Sequence, residues 1–340
     1  MRTPTYDKGE GQGTIQQHHM ATRHARQLRR GPYAIALLII GVLWLWAVIS
    51  PPPAAAQGFP STTFFVVAHA DDWQLFMGVN SWNDVRALEV LGIDNKVVFI
   101  HTTAGDAGLG TGSNGKPKPY YVAREDGANR AIRFLANIGE EGTQPVRESL
   151  LLNGKKLKRI IYKNTVTYYF RLPDGNGDGN GFPGTDNQSL QRLYNGQIDM
   201  ITSIEGRPRF DDWDDLVETL RAIITLEAQD ATNVWINIQD PDETTNSGDH
   251  SDHKHTAYAM QDAVSTLPCV NQALFRTYGI NQEPVNLVDE DQWKHVALWG
   301  VTTSGIADSY HQSTWDSVHN SWLGRQYYRI VQGNGACAFN

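Results

Sequence analysis

"FFVVAHADDWQLFMG", residues 64–78, decides the fold class. Its opening residues, Phe64 to Ala68, are apolar with no alternation. That is the pattern of a strand covered on both faces, as in a parallel sheet. The run ends in His69, and two adjacent acids follow, Asp71 and Asp72. Like charges repel and resist desolvation at the tip of a buried strand, so a positive partner is expected beside them.

Working outward, "NKVVFIHTTAGDAG" (95–108) reads as a second buried strand that runs into a glycine-bearing loop. Between the two strands, "DWQLFMGVNSWNDVRALEVLG" (72–92) has partly helical spacing. "REDGANRAIRFLANIG" (124–139) places Ala128, Ala131, Ile132 and Leu135 on one helical face, with glycine at the end. Strand, helix, strand, helix implies parallel strands joined by crossovers, an α/β sheet of Rossmann-like character flanked by helices. "ESLLLNGKKLKRIIYKNTVTYYFRLPDG" (148–175) alternates around Asn153-Gly154 and is expected as an antiparallel extension of that sheet. "FDDWDDLVETLRAIITLEAQ" (210–229) is a helix with acids in its first turn. "NVWINIQDP" (233–241) is another buried strand, and "SDHKHTAYAMQDAVSTL" (251–267) opens a helix. "KHVALWGVTTS" (294–304) is expected as a late strand. The whole reads as one α/β domain over 60–340, with inserted loops.

The N-terminal residues form a different region. Residues 1–32 hold Arg2, Lys8, Arg23, Arg26, Arg29 and Arg30 against Asp7 and Glu10. The formal charge of the whole chain is −8, so without this segment the body is near −12. An acidic body argues against nucleic acid as a partner. An uninterrupted apolar run, Tyr33 to Ile49, follows the basic flank, and "PPPAAAQ" (51–57) supplies small residues. This reads as residues 1–32 on the cytoplasmic side and 33–56 as a signal region cleaved after Ala56. Retention of 33–49 as a membrane anchor is the alternative. In either case the body is expected to be exported. Cys269 and Cys337 are the only cysteines, which suits one structural disulfide in an oxidising compartment.

The acids and imidazoles after two strands define a candidate site. Ligands in open α/β sheets bind outside the carboxyl ends of strands. His69, Asp71 and Asp72 follow one strand, and "QDPDETTNSGDHSDHKH" (239–255) follows another. A divalent cation would neutralise the carboxylates, and zinc takes three His/Asp ligands while leaving a fourth position for water.

"AHADD" (68–72) resembles the Ala-His-Pro-Asp-Asp-Glu signature of the LmbE/PIG-L zinc deacetylases, and "HSDH" (250–253) resembles their His-Pro-Asp-His motif. "TTAGDAG" (102–108) and "REDGANRAIRFL" (124–135) are similar to that family's Thr-x-Gly-Glu-x-Gly loop and Arg-bearing helix. The resemblance spans roughly 62–270. It implies metal ligands at His69, Asp72 and His253, with Zn²⁺, or Fe²⁺, as the ion. It also implies Asp71 as general base, His250 as oxyanion stabiliser or acid, and Arg124 as a substrate-binding group. The implied substrate is an N-acetylated sugar or related amine. Ala70 and Ser251 stand where the family has proline, and Trp73 replaces its glutamate. An indole there could stack on a sugar or obstruct the pocket. Two other readings stand beside deacetylation: a zinc amidohydrolase or esterase on a non-sugar acyl substrate, and a catalytically silent carbohydrate-binding protein.

Other motifs carry weaker signals. Asp174, Asn176 and Asp178 in "DGNGDGNG" (174–181) match the opening of a Ca²⁺ loop, but Thr185 stands where the bidentate acid belongs. A lid over the cleft or a turn-rich insertion are the alternatives for this stretch. His255 is expected to face solvent, and His101 to be a strand residue.

Overall fold

A computed structural model describes residues 59–138 and 142–339. The expectations for Tyr33–Ile49 and for cleavage after Ala56 lie outside the described residues. Among those residues, no helix is long and apolar enough to cross a membrane.

In chain order, the first half comprises β1 (Ser61–Val67), α1 (Asp72–Phe76), α2 (Gly78–Val85), α3 (Ala87–Leu91), β2 (Asn95–Thr103), α4 (Tyr120–Asn137), β3 (Val146–Leu152), β4 (Lys155–Tyr162) and β5 (Thr165–Leu172). The second half comprises α5 (Leu190–Tyr194), β6 (Ile201–Thr202), β7 (Arg209–Phe210), α6 (Trp213–Glu227), β8 (Asn233–Gln239), α7 (Ser251–Val264), β9 (Asn271–Phe275), α8 (Asp289–Asp308) and β10 (Tyr328–Val331).

Eight strands form one sheet in the order β10-β9-β8-β1-β2-β5-β4-β3, and β6 pairs with β7 apart from it. The five central strands run parallel. Those strands are apolar on both sides because both faces are covered. Phe64, Val66, Val98 and Ile100 enter one core cluster, and Phe65, Val67, Val97 and Phe99 enter the other. The chain proceeds from β1 outward through β2 to β5, then returns to β8 on the opposite side of β1. The connections therefore diverge at the carboxyl ends of β1 and β8, leaving a crevice where such sheets bind ligands.

The antiparallel extension forms as the alternation predicts. Asn153 and Gly154 both have positive φ, 46° and 70°, as a two-residue hairpin turn requires. β4 then pairs antiparallel with β5, which joins the parallel core.

The late segment departs from expectation. Residues 294–304 are helical, within α8, not a strand. Their β-branched residues suggested a strand, yet the buried positions His295, Leu298, Trp299, Thr302, Thr303 and Ile306 recur at helical spacing. Packing against α4 decides the matter. A Cβ added at Gly127 would lie 2.3 Å from the Thr302 carbonyl oxygen, and one at Gly305 would lie 2.3 Å from the Gly127 amide nitrogen. Two glycines thus let the helix backbones touch. Cys269 and Cys337 are disulfide-bonded, which ties the C-terminal tail beside β9.

Candidate metal centre

The strand-end residues converge across the β1–β8 crevice. His69 and Asp72 leave β1 in the turn that starts α1, and His253 lies in the first turn of α7. His69 Nδ1 lies 3.5 Å from Asp72 Oδ1 and 3.3 Å from His253 Nε2, and His253 Nε2 lies 3.2 Å from Asp72 Oδ1. A tetrahedral ion with ligands at about 2.0–2.2 Å needs neighbouring ligand atoms about 3.3–3.6 Å apart. The triangle matches three corners of that tetrahedron and leaves the fourth for water or substrate.

The outer atoms of each ligand decide what the inner atoms offer. The His253 Nδ1–H donates to Asp249 at 2.9 Å, so Nε2 presents a lone pair. His69 Nε2 faces Asp252 at 3.4 Å, which likewise turns Nδ1 inward as an acceptor. Asp72 Oδ2 accepts from the His69 amide at 2.7 Å and from Gln239 Nε2 at 3.0 Å. Once their inner nitrogens are deprotonated, the two imidazoles and the carboxylate can therefore aim lone pairs at one point. Such a donor set fits a divalent cation, and carboxylate-backed histidines are the usual outer support for one. Asp249, Asp252 and Gln239 were missed in the sequence reading. Their only signal there was the density of acids around the two histidines of 250–253.

Electrostatics agree. His69, Asp72 and His253 are all almost fully buried. Burial opposes a proton on His69, yet Asp72 and Asp252 hold its pKa up at about 9. His253 is likewise raised well above the usual range, against burial, by Asp249 and Asp72. Asp72 is held well below the ordinary carboxylate range because the two imidazoles outweigh its burial. In the metal-free protein the cluster recruits protons as its positive charge, and a cation would displace them.

Asp71 and Arg124 sit alongside. Arg124 pairs with Asp71 Oδ1, and its Nη1 donates to the Gly105 carbonyl at 2.6 Å. Gly105 has φ of 54°, and a Cβ there would meet both the Arg124 guanidinium and the His69 ring. Only glycine lets this loop bring Arg124, and with it Asp71, against the candidate metal ligands. The guanidinium expected to contact substrate is thus engaged with Asp71 and a backbone carbonyl.

His250 caps α7. Its Nδ1 accepts from the Asp252 amide at 3.1 Å, so in the neutral ring Nε2 carries the hydrogen. The ring stands edge-on to His69, 4.7 Å between centroids. Burial and the His69 charge push its pKa down to about 4, which keeps it neutral.

Several expectations are corrected. Trp73 is fully buried and tilted over Phe99 at 4.6 Å, inside the core cluster that contains Phe65, Val67 and Phe76. It faces back onto the sheet, so it neither stacks on a ligand nor obstructs the crevice. His255 does not face solvent. It is buried, donates from Nδ1 to the Ser251 carbonyl at 2.8 Å and packs against Tyr194. His101 is a buried residue of β2, stacked on Tyr169, as the strand reading expects.

The calcium loop is not assembled. Asp174 accepts from the amides of Ala107 and Asn176 and groups with His69, His250 and Asp252, not with Asp178. Asp178 is held in its own turn by Asn180. The segment instead supports the candidate metal centre. The Gly175 amide donates to Asp252 at 2.9 Å, and the Gly177 carbonyl accepts from the Ser251 amide at 3.1 Å.

Comparison with protein-family models and with curated proteins finds no match. Among solved structures, the crystal structure of GalB, the 4-carboxy-2-hydroxymuconate hydratase from Pseudomonas putida KT2440, is similar with a TM-score of 0.38. Identity is 12%, over 77% of this chain and 82% of that chain.

Proposed function

We propose that the protein is an exported, metal-dependent hydrolase of the LmbE/PIG-L type that removes an acetyl group from an N-acetylated sugar or related amine. The observation that carries this reading is the lone-pair triangle of His69, Asp72 and His253, with Asp71 held beside it. A zinc ion held by those three residues would supply Lewis acidity to an acyl oxygen and a water acidified to a pKa of about 7.

The remaining steps belong to the chain. Asp71 gives one oxygen to Arg124 and keeps the other to accept a proton from the attacking water. Arg124 acts here as the group that positions this base. His250 holds its Nε2 hydrogen ready to hydrogen-bond the developing oxyanion, and the proton that Asp71 takes from the water is the one returned to the departing amine. Tyr120, whose ring lies under the Arg124 guanidinium, and Tyr278, edge-on to His253, are the aromatic neighbours of these groups. Export is supported by the Cys269–Cys337 disulfide, because such bonds persist in oxidising compartments.

The test combines metal analysis with acetate release from a panel of N-acetyl sugars, N-acyl amines and acyl esters. One equivalent of zinc or iron is expected, with release from the sugars exceeding that from the esters. Asp71→Asn is expected to keep the metal and lose turnover by 10²-fold or more. Full activity in that variant, or a protein that binds no metal, overturns the reading.

A further inference from the structure

α4 and the β3–β4 ribbon line an open cavity of about 230 Å³ that shares no residue with the candidate metal centre. Four cations line it, Lys118, Arg130, Arg133 and Arg147, and Asp126 is the single acid of the lining. The body of this chain is acidic overall, whereas this lining carries four cations to one acid.

The four cations differ in how they are satisfied. Lys118 pairs with Asp126, and Arg130 pairs with Asp308 at 2.7 Å while donating to Ser304. Arg133 and Arg147 have no carboxylate partner among the described residues. Arg133 lies over the Tyr162 ring, 5.4 Å from guanidinium carbon to centroid, and the Tyr162 hydroxyl is fixed by a 2.7 Å bond to Asn137. The aromatic face holds one guanidinium in place without neutralising it. Arg130 and Arg133 are three apart on one helix, where like charges oppose each other, and Arg147 adds a third from the ribbon.

We propose that this cavity binds the oxyanion of a small ligand, a phosphate or a carboxylate, between Arg133 and Arg147. Planar guanidinia with free N–H groups suit the paired oxygens of such anions. The volume admits one such group with its attached carbon or water. No residue of the lining belongs to the metal centre, so the site is independent of the catalytic reading.

The experiment is calorimetric titration of the full-length, metal-loaded protein with inorganic phosphate, glucose 6-phosphate and glucuronate, with ionic strength held constant by chloride. Saturable binding of at least one anion is expected. Arg133→Gln/Arg147→Gln should weaken it at least tenfold, Arg133→Lys/Arg147→Lys should retain part, and His253→Ala should leave it unchanged. Equal affinity for phosphate and its sugar ester assigns the site to the free anion, and tighter binding of the ester assigns it to an anionic sugar. Both arginines are exposed and unpaired, so the variants should fold, and an unshifted thermal midpoint without anion checks this. The proposal is overturned if no anion saturates the parent, if the glutamine variant binds as the parent does, or if His253→Ala abolishes binding.

Discussion

Asp249→Asn is the substitution that isolates how the metal centre is held. Asp249 accepts the Nδ1 hydrogen of His253 at 2.9 Å, with the imidazole fully buried and the carboxylate nearly so. No water can replace the bond at that depth. An asparagine is isosteric but neutral, and its amide can turn a donor toward Nδ1. The imidazole would then carry its hydrogen on Nε2, aimed at the ion. Loss of such outer support costs about 10–100-fold in metal affinity, or about 1.4–2.8 kcal/mol. The burial of this pair places the effect in the upper half of that range. Zinc affinity measured by competition with a chromophoric chelator should show the loss. A dissociation constant within twofold of the parent would refute the reasoning, because His253 would then be oriented by something other than Asp249. The same titration has a pH signature. His69 keeps its proton up to about 9 without metal, so zinc must displace protons, and apparent affinity should rise with pH below about 9.

Three further outcomes follow from packing and burial. Gly127→Ala should destabilise by about 1–3 kcal/mol, since its Cβ meets the Thr302 carbonyl; helix propensity alone predicts a gain, so the sign of the change in thermal midpoint decides between them. Cys269→Ser opens a disulfide spanning 68 residues of sequence, and denaturant unfolding should show a loss of up to about 4 kcal/mol. His295 is pushed down to about 4 by burial; its Nε2–H donates to the Leu75 carbonyl at 3.0 Å, and its Nδ1 accepts from the Gly324 amide. Its folded pKa lies below the ordinary 6.5, so its neutral form favours folding above that pH. Stability should fall as pH drops from 6.5 toward 4, by up to about 3 kcal/mol, and unfolding curves for His295→Gln should lack that component.

The parallel core and the grouping of acids and imidazoles at the ends of two strands were legible in the chain because their signals are short-range. Unbroken apolar runs in β1, β2 and β8 report coverage on both faces, and the close spacing of His69 with Asp72 and of His250 with His253 reports local turns. Asn153-Gly154 announced its hairpin because few other pairs tolerate positive φ twice. Tertiary structure decided the rest. Residues 294–304 became helix because glycines at 127 and 305 allow α4 and α8 to touch, an advantage invisible in either segment alone. Trp73 entered the core because the turn after β1 points it at Phe99. Asp249, Asp252 and Gln239 acquired their roles, and Arg124 its partner Asp71, from contacts between segments distant in sequence or across a helix turn. Local pattern reports which face of an element is apolar; only the folded chain determines which polar groups meet where water is excluded.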